Sequence, residues 1–220
     1  MSSETSRSEE KKGLRREVLA RLGALPMETI LEKSKRIEGR LFESSWWRRA
    51  GVVYCYVSMP REVQTTEIRR RAVAEGKTLA LPRVAGDEIR FHRMSEPDQP
   101  LVRSSFNIDE PAADLPAMDP AADLPPVDPR VEAGGGEQNA IPPGTAAGSA
   151  LVIVPGLAFD HARYRLGRGR GYYDRFLASG LGCFSTVGVC FEEQLVDEVP
   201  RENWDMRIDC VLTDERVIRE

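Results

Sequence analysis

Apolar residues recur at helical spacing near the amino terminus: Leu14, Val18, Leu22 and Leu25, then Ile30, Ser34, Ile37 and Leu41. Positions three and four apart share one helix face, so the pattern predicts helices over 11–25 and 27–42. The rhythm changes at Gly51. G-V-V-Y-C-Y-V (51–57) is continuously apolar, β-branched or aromatic, which marks a strand buried on both faces. Thr65 or Thr66 then caps a third helix, with Gly76 as its stop. Strands are expected over 78–81 and 88–93, and A-L-V-I-V (150–154) is a second buried run. A helix from Tyr172 to about Ala178, a strand over 183–191 and a last strand over 208–212 complete the reading. Strands alternating with helices predict an α/β fold, a single three-layer domain with a mostly parallel sheet and helices on both faces.

Composition narrows the class without naming a function. The 220 residues are 41% hydrophobic and 30% charged, ordinary for a soluble globular protein and suited to one domain. Apolar stretches fall well short of the roughly 20 residues that cross a bilayer, so no membrane partner is expected. Residues 1–10 are rich in Ser and Glu and carry no apolar core, which excludes a secretory signal and predicts a disordered tail on a cytoplasmic protein. Cys55, Cys183, Cys190 and Cys210 form no C-x-x-C pair and are expected to be reduced and buried. His92 and His161 lie too far apart in sequence to support a His-based metal site or triad.

Residues 111–149 stand apart. They hold eight of the 15 prolines, the run Gly134–Gly136 and a repeated P-A-A-D-L-P, with a net charge of −5 in a chain whose total is −4. The acidic balance therefore belongs to this segment, and about +1 remains for the rest. Such a composition buries too little apolar surface to offset its ordering entropy, so a flexible insert is expected.

The densest chemistry lies in R-L-G-R-G-R-G-Y-Y-D (165–174), downstream of the 150–154 strand and the Pro155-Gly156 stop. Alternate glycines (Gly167, Gly169, Gly171) let backbone approach a ligand. Arg165, Arg168 and Arg170 concentrate positive charge, with only Asp160 and Asp174 close by in sequence to neutralise it. The run is neither a P-loop nor a dinucleotide fingerprint. A phosphate-binding loop ahead of a helix, outside a buried strand's carboxyl end, fits it. A solvated Arg-Gly loop, or a non-catalytic nucleotide- or RNA-binding module, fits the decapeptide too.

More of the chain decides between these. P-G-L-A-F-D (155–160) followed by that decapeptide resembles the signature of the 5-formyltetrahydrofolate cyclo-ligase family. Lys11-x-x-Leu14-Arg15, Tyr56-Val-Ser-Met59 with Glu62 and Thr65, Gly76-Lys77, Leu81-Pro82-Arg83-Val84 and Ile108-Asp-Glu-Pro111 extend the likeness. So do Phe191-x-x-Gln194 and Asp205-x-x-x-Asp209. Arg163 stands where the family usually has Gly, Gln64 where Asp is common and Asn107 where Gly is common; the long insert is also atypical.

The resemblance implies a CoA-transferase-like α/β fold and ATP-dependent conversion of 5-formyltetrahydrofolate to 5,10-methenyltetrahydrofolate. ATP and the folate are then the partners of a monomeric enzyme, and no nucleic acid is involved. Arg165, Leu166, Gly167, Arg168, Gly169, Arg170, Gly171, Tyr172 and Tyr173 would wrap the phosphates, with Lys11 and Arg15 closing over them. Arg168 and Lys11 are the candidate catalytic groups. Val57, Glu62, Arg15 and Arg168–Tyr172 would meet the folate, and Asp174 and Asp205 would hold Mg²⁺. Tyr172 and Tyr173 could stack on a ring or pack the helix start. Lys77 and Arg83 could attract the folate's glutamate tail or remain solvated surface.

Overall fold

The computed structural model describes residues 2–104, 108–119, 123, 150–180 and 184–219. In chain order come helices α1 (Ser2–Ala24), α2 (Met27–Glu43) and α3 (Ser45–Arg49), strand β1 (Val52–Tyr54) and helix α4 (Thr66–Ala74). Strands β2 (Thr78–Ala85), β3 (Glu88–Met94), β4 (Val102–Arg103), β5 (Asp109–Glu110), β6 (Ala117–Met118) and β7 (Ala150–Val154) follow. The remainder holds β8 (Ala158–Asp160), β9 (Arg165–Leu166), α5 (Tyr172–Ser179), β10 (Ser185–Val189), β11 (Leu195–Val196), β12 (Cys210–Leu212) and β13 (Val217–Ile218).

Alternation within the strands sets the layers. Val53, Leu79, Leu81, Leu151 and Ile153 point into one core with Val18, Ile30, Ile37, Leu41 and Trp47 from α1, α2 and α3. Val52, Tyr54, Ala80, Val152 and Val154 point into the other, against Phe176 and Leu177 of α5. Successive side chains of a strand face opposite ways, so a strand covered on both faces must be apolar throughout. That is why 51–57 and 150–154 read as unbroken apolar runs. The sheet order is β13-β12-β10-β7-β1-β2-β3-β6. Its centre, from β12 to β2, is parallel, and the β13, β3 and β6 pairings are antiparallel. The expected α/β architecture, with a mostly parallel sheet and helices on both faces, is the one observed.

Several boundaries differ from expectation. α1 begins at Ser2, so the tail expected to be disordered over 1–10 is helical over 2–10, and Arg7 reaches Glu202 at 3.0 Å. The first half of α1 lacks an apolar stripe, so periodicity could point only to its second half. Thr65 occupies the N-cap of α4, but its hydroxyl donates to the Tyr56 carbonyl (2.7 Å) instead of capping. Gly76 does stop that helix, at φ +74°.

The insert is narrower than 111–149. Ala117 and Met118 pair with His92 and Phe91, and the Leu115 carbonyl lies 2.8 Å from His92 Nδ1. Residues 120–122 and 124–149 lie outside the described residues, as does Cys183. Cys55, Cys190 and Cys210 are buried free thiols, as expected. A small separate sheet has the order β11-β8-β9, its β8 and β9 coming between β7 and α5 in the chain. It was not anticipated, because its strands are too short to show a period.

Candidate active site

The carboxyl ends of β1 and β7, the β8–β9 hairpin and the start of α5 surround one cavity of about 930 Å³. Phe159 of β8 is fully buried and wedges this corner. A Cβ on Gly156 would stand 2.7 Å from its ring, and one on Gly188 would stand 2.5 Å away. Neither position accepts a larger residue without moving Phe159. α5 is fixed in turn by aromatic packing: Phe176 meets Phe91 at 4.5 Å and stacks on Phe184 at 5.5 Å. Such pairs add about 0.5–1.5 kcal/mol each beyond burial, which makes the base of the glycine loop rigid.

Between β9 and α5 the backbone needs left-handed conformations, at Gly169 (φ +99°) and at Gly171 (φ +66°), the residue ahead of α5. A side chain at either position would strain the turn. A Cβ on Gly169 would stand 3.5 Å from the Arg15 guanidinium, an ordinary contact, so the backbone conformation and not crowding calls for glycine there.

Lys11, Arg15, Val57, Glu62, the run 165–174 and Asp205 all line this cavity; Lys77 and Arg83 do not. α1 contributes Lys11 and Arg15, one turn apart. Arg15 Nε donates to the Gly167 carbonyl at 2.9 Å, and Lys11 Nζ meets Asp205 Oδ2 at 2.6 Å. Burial lowers the Arg15 pKa, partly offset by Asp205. Val57 and Glu62 follow β1. The glycine loop supplies Arg165 through Tyr173, and α5 supplies Asp174. Tyr173 packs the helix start, edge-on to Phe91 at 6.5 Å, with the Arg165 guanidinium 5.6 Å from its ring centre. Burial raises the Tyr173 pKa, so its hydroxyl keeps its proton.

The loop's cations are less bare than the sequence implied. Arg165, 4% exposed, pairs with Asp174 at 2.8 Å, and Arg168 pairs at 2.8 Å with Glu62, 106 positions away. Arg163, which stands where the family usually has Gly, leaves the loop's charge unchanged. It is the sole non-glycine among the described residues at positive φ (+67°), in the β8–β9 turn, where its N–H donates to the Asp160 carbonyl at 2.9 Å. The glycine expected there suits that conformation; a side chain adds about 1–2 kcal/mol of strain. Its guanidinium turns toward the Asp209 carbonyl (3.4 Å), away from the cavity, so the loop's start is no more cationic for it. Lys77 and Arg83 are not free either. Lys77 donates to the Ala50 carbonyl over the Trp47 ring, and Arg83 donates to the Pro111 carbonyl.

Asp174 and Asp205 suit a hard divalent cation as oxygen donors lining one cavity. Among the described residues their hydrogen bonds fall on Oδ1 of Asp174 and Oδ2 of Asp205, which leaves each a second oxygen. The described residues hold no group of three or more His, Cys, Asp or Glu that would form an all-protein cage. Mg²⁺ bound with phosphates needs only one or two carboxylates, so this donor set fits it. Sequence reasoning gave no role to Ser8, Glu110 and Trp204 of the cavity wall. The signals available were Glu110's place in the 108–111 motif and Trp204's position next to Asp205.

The glycine loop and the α1 pair, gathered at the carboxyl ends of the parallel strands, mark an α/β protein with a cationic crevice. Residues 7–125 and 137–214 match the sequence profile of the 5-formyltetrahydrofolate cyclo-ligase family, and the chain belongs to that family. The unmatched stretch, 126–136, lies inside the acidic segment. A probable 5-formyltetrahydrofolate cyclo-ligase of Schizosaccharomyces pombe is 29% identical over 90% of this chain and 92% of its own. The mouse 5-formyltetrahydrofolate cyclo-ligase is 29% identical over 92% of each chain. The solved structure of Aquifex aeolicus 5,10-methenyltetrahydrofolate synthetase superposes with a TM-score of 0.72 at 28% identity, over 95% of this chain and 92% of that one. Among the described residues no helix is long and apolar enough to cross a membrane.

Proposed function

We propose that the protein closes 5-formyltetrahydrofolate to 5,10-methenyltetrahydrofolate with ATP, releasing ADP and phosphate. The observation that carries this is the closure of Lys11 and Arg15 from α1 onto the glycine loop and Asp205, around one cavity. At about 930 Å³ the cavity lies near the upper end of the roughly 300–1,000 Å³ usual for ligand pockets, room for two substrates side by side.

The formyl group is an amide, and its oxygen does not leave as hydroxide at neutral pH. Transfer of the γ-phosphoryl to that oxygen breaks the terminal P–O bond of ATP and yields ADP. The neighbouring secondary amine then attacks the activated carbon, loses its proton and expels phosphate. Phosphoryl transfer asks the protein mainly for positioning and charge stabilisation. Positioning alone is worth up to roughly 7–11 kcal/mol. A single guanidinium–phosphate hydrogen bond contributes about 1.5–3 kcal/mol. Geometry is therefore the larger share, and it rests on the loop clamped between α1 and α5.

Arg168 and Lys11 are placed to stabilise charge on the moving phosphoryl. To do so each must exchange a carboxylate partner, Glu62 or Asp205, for phosphate oxygens. Glu62, once released, is placed to accept from pterin N–H groups. Arg165, held against Asp174, positions that carboxylate. Asp174 and Asp205 would hold Mg²⁺, which would supply charge that neutralises the phosphates. The carboxylates in the cavity would repel an RNA backbone, which weighs against the nucleic-acid reading.

The test follows methenyl product and ADP together. Both should form one for one, and only when ATP and 5-formyltetrahydrofolate are present. Asp174→Ala should abolish turnover in a chain that still melts cooperatively. Product formation without ATP, or full activity in Asp174→Ala, would remove the proposal.

A further inference from the structure

Trp204 is 69% exposed, the most exposed large apolar side chain among the described residues, while Trp46 and Trp47 are buried in the core. Trp204 is also part of the cavity wall. An indole left in water is no core filler, and the turn that carries it is held firmly. The Asp205 N–H donates to the Glu202 carbonyl at 3.1 Å, and the Glu202 N–H donates to Asp205 Oδ2 at 2.8 Å. Lys11 binds that same carboxylate oxygen, and Arg7 binds Glu202 at 3.0 Å. The turn is thus tied to α1 through Arg7, and through Lys11 until that side chain moves to the phosphates, while its own Glu202–Asp205 hydrogen bonds hold the indole's backbone in place.

Its place along the cavity follows from contacts. The glycine loop touches Glu62 through Arg168 on one side and α1 through Arg15 on the other. Lys11 and Asp205 join the Trp204 turn to the α1 side, whereas Glu62 is joined to the loop through Arg168. A triphosphate whose terminal group lies at the loop, facing a folate at Glu62, extends its nucleoside toward Trp204.

We infer that Trp204 is the stacking face for the purine of the nucleotide co-substrate, a specificity determinant that rests on the ATP-dependent reading above. An aromatic face reads ring area and not the base edge. It therefore favours purine over pyrimidine triphosphates and separates adenine from guanine poorly.

The experiment compares wild type, W204F and W204A with ATP, GTP and CTP, and titrates tryptophan fluorescence with Mg-ADP. Base–aromatic stacking is worth about 1–3 kcal/mol, which converts to a change of about 5- to 150-fold. W204A should raise KM for ATP by about 10-fold or more, with KM for the folate and kcat within about 2-fold. W204F should stay near wild type, and the purine preference over CTP should shrink in W204A by the same factor as KM rises. Mg-ADP should quench wild-type fluorescence, and W204F should lose that response because its remaining tryptophans are buried. An unchanged KM for ATP in W204A, a shift in the folate KM instead, or quenching that persists in W204F would overturn the inference. Each of these leaves ATP-dependent turnover intact. Wild type lacking turnover would defeat the functional reading alone, since the fluorescence titration still decides the stacking.

Discussion

Arg168 and Glu62 hold each other at 2.8 Å, although the proposed mechanism turns Arg168 to the phosphoryl group and Glu62 to the pterin. The pair shields the charges of a ligand-free cavity, and both substrates must compete with it. Glu62 is the more buried partner, and its second oxygen accepts from the Met59 N–H at 2.9 Å. The loop is fixed at the site whether or not Arg168 is bound. Glu62→Gln keeps the shape and loses the charge. A hydrogen bond to a charged group is worth about 1.5–3 kcal/mol, so KM for 5-formyltetrahydrofolate should rise about 10-fold or more. KM for ATP should stay level or fall, because Arg168 is released to the phosphates. Steady-state kinetics in each substrate separate the two effects. At this scale the sequence spoke clearly where spacing is short: the alternate glycines of 167–171 announced a tight backbone. It was silent on Arg168–Glu62 and Lys11–Asp205, because only the fold brings positions 106 and 194 residues apart together.

Among the elements, α2 carries a buried acid that the function does not use. Glu38 is 8% exposed on the α2 face that packs into the core. Burial, with repulsion from Glu67 of α4, pushes its carboxyl up to about 7 from 4.5, against a smaller pull from Lys35. The folded state then binds this proton more tightly than the unfolded chain does. Its stabilising contribution is full below about pH 4.5 and is lost as the pH rises through about 7. Glu38→Gln should flatten stability against pH across that window. At pH 8 it should be more stable than wild type by roughly 1–3 kcal/mol. Urea unfolding of both proteins at pH 5 and pH 8 checks this, and equal differences at the two pH values would refute it. Elements of this length were legible, since Ile30, Ser34, Ile37 and Leu41 fall on one buried stripe of α2. The polar start of α1 carries no stripe and gains its order from tertiary partners such as Glu202. Two- and three-residue strands like β8 and β9 show no period at all.

For the whole molecule, the parallel sheet decides where chemistry happens. Strands β1 and β7 run side by side in one direction, so the segments leaving them open onto a shared crevice, the usual ligand site of such sheets. α1 crosses from the far end of the sequence to cover it. The layered α/β design was readable from two apolar runs and the helices between them, but the covering role of α1 was not. That depends on Arg15 meeting the Gly167 carbonyl, a contact between backbone and side chain that no pattern encodes. The central claim for the assembled site is that the formyl oxygen leaves as phosphate. A single turnover with 5-formyltetrahydrofolate labelled by ¹⁸O in its formyl group, run in unlabelled water with ATP, tests it most directly. The account predicts that the released inorganic phosphate carries the label. Label recovered in water, with phosphate unlabelled, would contradict it.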